Sequence, residues 1–262
     1  MARRFSAFAL SLALCAALAG CDGGLFPSGP ALPSAASQYD YFPLQIGRVW
    51  EYRVDSVIYD FAPGGGASVD STSLWRRVRI ADTLRDASQG LFYVVERYER
   101  RDESAPWQYM ATDRAARRPA QAIWQEGNLR YLRLIFPMTR GAAWDGNIWI
   151  DASMEITIAG ERIKPFGGWR SRVDAIDVPA VIGNFVFDST LVVTEADLNN
   201  AIERRWSRST YAKGIGLAYR EQWILDSQYC NRIPSPPDCL TLPWRQKAEK
   251  GFIMRQTLLR YE

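Results

Sequence analysis

From Trp50 onward apolar and polar residues alternate with a period of two, and this alternation limits the fold more than any other feature of the chain. In residues 50–58, Trp50, Tyr52, Val54 and Ile58 fall on one face, and Glu51, Arg53 and Asp55 on the other. That is the pattern of a strand buried on one side. In residues 74–82, Leu74, Val78 and Ile80 share a face with Arg76, and in residues 91–101 Phe92, Val94 and Tyr98 do so. Further strands are predicted at 129–136, 154–163, 169–177, 184–195, 217–226 and 251–261, at least nine in all. Turn chemistry separates them, at 63–66, 86–90, 127–128, 141–146, 160, 165–168 and 183–184. Strands this close in sequence pair antiparallel with their neighbours. Residues 196–206 read either as a helix or as a hairpin turning at Asn199-Asn200, and the hairpin is favoured because Asn tolerates positive φ. Ten Trp, twelve Tyr and eleven Phe beside many Gly and Pro suit half-buried strands joined by turns. No repeat of fixed period is present, which disfavours a propeller or solenoid. The predicted fold is all-β, a large antiparallel meander curved into an open sheet or half-barrel, with little helix.

Before this domain lie two segments of different character. Arg3 and Arg4 followed by the apolar residues 5–17 form the n- and h-regions of a secretion signal. The apolar run is shorter than the roughly 20 residues a bilayer-spanning helix needs. The residues expected around a twin-arginine signal are mostly missing, so Sec export is favoured. The sequence Leu18-Ala19-Gly20-Cys21 resembles the lipobox of bacterial lipoproteins. That resemblance implies cleavage before Cys21 and an acyl anchor on it, palmitate included; the alternative is an ordinary signal peptide with a cysteine near its cleavage site. Residues 22–38, rich in Gly, Pro, Ala and Ser, read as a flexible tether. The expected organisation is a signal peptide over 1–20, a lipidated cysteine and tether over 21–38, and a single β-domain over 39–262. The protein would then be lipid-anchored to the outer or inner membrane, facing the periplasm or the cell surface.

The remaining cysteines follow from that address. Cys15 leaves with the signal peptide and Cys21 takes lipid, which leaves Cys230 and Cys239 around a loop containing Pro234, Pro236 and Pro237. In an oxidising compartment the pair is expected to form a disulfide, the alternative being two free thiols.

The chain contains no histidine. This removes Ser-His-Asp and Cys-His nucleophile systems and His-ligated zinc or iron. Lysine is scarce and no Ser-x-x-Lys occurs, so a serine hydrolase is disfavoured. Gly64-Gly65-Gly66 and Gly214-x-Gly216 lack the strand-loop-helix setting of phosphate loops and read as turns or bulges. Asp145, Asp151 and Glu155 lie near Trp144 and Trp149, an aromatic-and-acid grouping that suits sugar. The plainer reading is a turn at Asp145-Gly146-Asn147 with solvent-facing acids. A calcium loop there would lack most of its alternating ligands. The formal charge is +3, of which Arg3 and Arg4 supply two units, and no dense basic run follows, so nucleic acid is not an expected partner. No metal or cofactor is expected.

The opening Tyr41-Phe42-Pro43-Leu44-x-x-Gly47-x-x-Trp50-x-Tyr52, with Tyr211-Ala212-Lys213-Gly214-Ile215-Gly216-Leu217 and a final strand, resembles a set of uncharacterised bacterial envelope lipoproteins. In plan alone the chain is similar to the half-barrel of lipoprotein-localisation factors, which implies a sheet curved round an apolar concave face. The expectation is a non-enzymatic envelope lipoprotein with a binding or structural role, holding an apolar ligand or an envelope protein. A carbohydrate-binding or carbohydrate-active protein using Trp144 and Trp149 is the alternative.

Overall fold

The computed structural model describes residues 35–62, 66–88 and 90–262. The expected signal peptide, the expected lipidation site Cys21 and the expected tether as far as residue 34 lie outside the described residues. Gln38, at the end of the expected tether, already belongs to the fold, since its side chain exchanges two hydrogen bonds with the backbone of Met138.

The alternating segments form long antiparallel strands in chain order: β1 (Val49–Phe61), β2 (Ala67–Asp86), β3 (Gly90–Arg100), β4 (Gln108–Arg118), β5 (Gln121–Glu126) and β6 (Leu129–Ile135). A short β7 (Ala143–Trp144) and a small hairpin, β8 (Ile156–Ile158) and β9 (Glu161–Ile163), follow. The chain resumes with β10 (Trp169–Ile182), β11 (Phe185–Asn199), β12 (Glu203–Ala212), β13 (Gly216–Asp226) and β14 (Lys250–Tyr261). Twelve of these make one sheet in the order β6-β5-β4-β3-β2-β1-β14-β13-β12-β11-β10-β7, and β8 and β9 pair apart from it. Every neighbour in this order pairs antiparallel, so the sheet is two meanders joined where β1 meets β14.

The predicted curvature goes further than a half-barrel, because the twelve strands come nearly full circle and leave one unsealed seam between β6 and β7. The seam is latched without a ladder. Leu132 N donates to Gly146 O at 2.8 Å, and the Trp144 indole donates to Leu132 O at 2.9 Å. Glycine suits position 146, since a Cβ there would lie 2.7 Å from Ser171 Oγ, which would have to turn away.

Side-chain parity sorts the interior from the exterior. Tyr52, Val54, Val78, Ile80, Val95, Leu191, Val193 and Leu258 belong to one large buried cluster. Tyr59, of opposite parity to Tyr52 and Val54 on β1, belongs to a second cluster with Leu225 and Ile253, over which Trp244 and Ala248 of the β13–β14 connection pack. The hairpin at Asn199-Asn200 forms as predicted, with the Asn200 side chain accepting from the backbone of Ile202 and Glu203. Two expectations need correction. Residues 154–163 are not one strand but the β8–β9 hairpin, because Ala159 and Gly160 both take positive φ and reverse the chain. The strands β4 and β5 escaped prediction, β4 because its Ala- and Arg-rich residues are poor strand formers.

A short segment before β1 closes the arrangement. The helical turn α1 (Ala35–Gln38) and a 3-10 turn (Tyr39–Tyr41) run into Phe42, Pro43 and Leu44. Tyr41 Oη donates to Asp177 on β10 at 2.7 Å and lies 2.8 Å from the Ser189 hydroxyl on β11. On the other side Tyr39 Oη donates to Pro119 O, and Arg117 on β4 donates to the carbonyls of Tyr39 and Phe42. The segment therefore ties together strands from both meanders.

Candidate functional site

The two motifs that carry the lipoprotein resemblance meet in space. The Trp50 indole donates to Ile215 O at 2.6 Å, Tyr52 Oη to Leu217 O at 2.9 Å, and Arg48 to Gly214 O. Gly214 N donates in return to Asp40 O at 2.8 Å. Gly216 adopts φ +99°, and a Cβ there would sit 3.3 Å from Pro43, so glycine lets the β12–β13 turn lie against Phe42-Pro43-Leu44. The opening motif and the glycine turn are two halves of one plug.

Beneath this plug lies a cavity of about 110 Å³ inside the barrel. Phe42, Pro43, Leu44, Trp50, Trp124 and Leu217 supply apolar wall, and Arg76, Arg97, Arg133 and Arg220 supply four guanidinium groups, against the carboxyls of Asp113 and Glu126. The wall is thus not the apolar surface that the half-barrel likeness implied.

Each guanidinium has a distinct set of partners. Arg76 on β2 pairs with Glu99 on β3 at 2.7 Å and donates to Gln256 on β14 at 3.3 Å. Arg97 on β3 donates to Glu126 on β5 and lies 3.6 Å from Asp113 on β4. Arg220 on β13 donates to Ser209 at 2.9 Å and to Glu195 at 3.3 Å. Glu195 also accepts from Ser207 at 2.6 Å and Ser209 at 3.1 Å. Arg133 on β6 lies 3.7 Å from Glu195 and stacks on the Tyr131 ring at 4.2 Å, with no hydrogen bond to any described residue.

Local irregularity sets two of these positions. The β5–β6 register shifts between Ala122 and Ile123, so Arg133 is an extra residue between the paired Leu132 and Leu134. The β11–β12 register shifts in the same way between Thr194 and Ala196, leaving Glu195 as the extra residue. Such bulges re-aim a side chain against the alternation of its strand.

The electrostatics follow from burial and pairing. Burial alone would raise the Glu195 carboxyl, but Arg220 and Arg133, with the two serine hydroxyls, outweigh it and hold Glu195 below its ordinary range. Burial also opposes the Glu126 charge, and Arg97 reverses that. Arg220 ends above its ordinary value because Glu195 outweighs its burial. Arg133 ends below its own, burial being reinforced by the positive Arg220 beside it. Asp113 is different: burial lifts its carboxyl to about 6, and Arg97 offsets this only in part. The Trp124 indole is close enough to favour the charged form, but Asp113 Oδ1 makes no hydrogen bond of normal geometry. Tyr211 Oη is likewise buried without such a bond, although Arg220 is near enough to favour its ionised form.

The predicted site residues lie elsewhere. Trp144 is buried at the seam with its indole committed to Leu132 O. Trp149 is exposed, with the Arg130 guanidinium 4.1 Å from its ring centre. Asp145 and Asp151 each accept from backbone two residues on, at Asn147 and Ser153, and Glu155 pairs with exposed Arg162. The plainer reading of the acids as turn residues describes this geometry. The bridge expected between Cys230 and Cys239 is not formed. The loop brings them close, but the Cys230 thiol donates to the Cys239 carbonyl at 3.0 Å, and the Cys239 sulfur accepts from the Ser235 hydroxyl at 3.8 Å. Among the described residues no helix is long and apolar enough to cross a membrane. Sequence reasoning singled out Arg76 only as a charge on an apolar face, and it missed Arg97, Asp113, Arg133, Glu195 and Arg220.

No protein-family model matches the chain, and no characterised protein matches it in sequence. Among solved structures, it is similar to a presumed lipoprotein of Parabacteroides distasonis, with 12% identity, TM-score 0.36, and 85% of this chain and 98% of that chain covered. It is also similar to a presumed exported protein of Bacteroides fragilis with a YmcC-like fold, at 12% identity, TM-score 0.39 and the same coverage.

Proposed function

We propose that this chain is a lipid-anchored protein of the bacterial envelope that binds a small ligand inside its barrel and does not transform it. The observation that supports binding most is the cavity under the plug. Burying four arginines costs a folded chain several kcal/mol for each charge not well compensated, and a purely structural core is better served by apolar side chains. Glu126 is engaged by Arg97, and Glu195 by Arg220 and two serines, which holds both below the ordinary carboxylate range and leaves them poor proton acceptors. The anchor rests on the lipobox-like Leu18-Ala19-Gly20-Cys21. Full-length protein extracted from membranes in a mild detergent should carry a non-covalent small molecule, seen by native mass spectrometry as an added mass that is lost on gentle activation. Only the bare chain mass, from fresh extracts and after incubation with envelope small molecules, would contradict binding.

A second reading rests on Asp113. A buried carboxyl with a pKa near 6 and an oxygen without a hydrogen-bond partner has the properties of a general base. Consumption of an envelope metabolite by the wild type and not by Asp113→Asn would favour it.

A further inference from the structure

The cavity's chemistry narrows its ligand, given the binding role proposed above. Its lining carries four guanidinium groups and two carboxyls. Glu99 and Glu195 neutralise part of this charge, but neither lines the cavity. Arg133 makes no hydrogen bond to a described residue, although only 11% of its side chain is exposed; its nearest acid atom is 3.7 Å away. A buried guanidinium with unused N–H donors is a costly group unless something accepts from it. In the same wall the Tyr211 hydroxyl, in a side chain 2% exposed, has the Arg220 guanidinium beside it as a donor but no acceptor for its own proton. These two groups, on β6 and β12, are neighbours in one cluster, and both call for an acceptor in the cavity.

Size and the remaining wall constrain the rest of the ligand. A volume of about 110 Å³ is several times what one water needs. It is somewhat smaller than the roughly 150 Å³ engineered apolar cavity that takes a single benzene ring, and well short of the roughly 300–1,000 Å³ typical of drug-sized sites. Phe42, Trp50, Trp124 and Leu217 form the apolar part of the same wall. We infer that the cavity recognises the oxyanion group, carboxylate or phosphate, of a small molecule whose apolar body is about one ring in size, with Arg133 and Tyr211 Oη as donors and Arg220 adding positive charge.

The test is titration calorimetry on the full-length protein with four probes: phenylacetate, phenyl phosphate, inorganic phosphate and the neutral 2-phenylethanol. Saturable binding of phenylacetate or phenyl phosphate at least tenfold tighter than the alcohol is expected, and the tighter of the two identifies the source of the oxyanion. Inorganic phosphate should bind more weakly than the aromatic ester, since it forgoes the apolar wall. Arg133→Gln should weaken the anionic probes about tenfold or more, as for loss of a charge-assisted hydrogen bond. Tyr211→Phe, a milder change to the barrel, should weaken them about two- to tenfold, and neither substitution should weaken the alcohol. If the alcohol binds as tightly as the acids, the oxyanion assignment fails while the binding role stands. If Tyr211→Phe and a folded Arg133→Gln both bind the acids like the wild type, the assignment fails as well. If no probe binds although a co-purified mass is present, the ligand class is wrong; if neither is found, the binding role falls with it.

Discussion

Replacing Asp113 by Asn should make the protein more stable at neutral pH while leaving it nearly unchanged in acid. The folded state raises this carboxyl from 3.8 to about 6, chiefly by burial. Each unit corresponds to about 1.4 kcal/mol between the two protonation states, so the full difference is about 3 kcal/mol. The sign follows from which form the fold prefers. A raised carboxyl favours its protonated form when folded, so the stability it contributes is complete below pH 3.8 and is lost as pH rises through about 6. Asn is neutral throughout and close in shape, and Arg97 keeps Glu126 as its partner. Urea unfolding of both proteins at pH 4.5 and pH 7.5 is the assay. The wild type should lose about 1–2 kcal/mol relative to Asp113→Asn between those two values. Parallel curves at both pH values, or a variant less stable at pH 7.5 than at pH 4.5 relative to the wild type, would refute the burial argument.

Other perturbations probe the scaffold and the anchor. Gly251→Ala should destabilise by roughly 3 kcal/mol or more, because a Cβ there would lie 1.9 Å from the Ile224 carbonyl oxygen at a φ of +113°; a melting temperature equal to the wild type would count against this packing of β14 on β13. Arg205→Met should cost about 3–5 kcal/mol, since Arg205 lies 2.6 Å from Asp226 and donates to the Leu225 and Lys164 carbonyls, and its loss leaves Asp226 without that partner; denaturant midpoints decide it, an unchanged midpoint meaning that Asp226 is well solvated. Cys21→Ala should move the protein from the membrane to the soluble fraction, and a variant that still sediments with membranes would show that the acyl chain is not its anchor.

The scaffold was legible where the alternation was regular. Trp50, Tyr52 and Val54 lie in the interior cluster as their shared face requires, and the Asn199-Asn200 hairpin forms where expected, although neither Asn takes positive φ and the Asn200 side chain instead holds the turn by accepting from the backbone of Ile202 and Glu203. The site was legible only in outline. Arg76 announced itself as a charge among Leu74, Val78 and Ile80 on an otherwise apolar face. Arg133 and Glu195 gave no such sign, because both sit at register shifts that break the two-residue period. The Trp144-Asp145-Gly146-Asn147 run drew attention as aromatics beside acids. Its tryptophan and glycine instead latch the seam, a long-range contact that no local pattern encodes. The plug was visible as two motifs, Tyr41 to Tyr52 and Tyr211 to Leu217, whose contact appears only once β1 and β13 have both packed beside β14.

That this barrel encloses a ligand site, and that the site lies under the plug, is tested most directly by the indole N–H signals of its ten tryptophans. With phenyl phosphate added to the nitrogen-15-labelled protein, the resonances of Trp50 and Trp124, which line the cavity, should shift in a saturable way, while those of Trp149, Trp206 and Trp244 should stay in place. Saturable shifts confined to those last three, with Trp50 and Trp124 unmoved, would place binding outside the barrel and contradict the account.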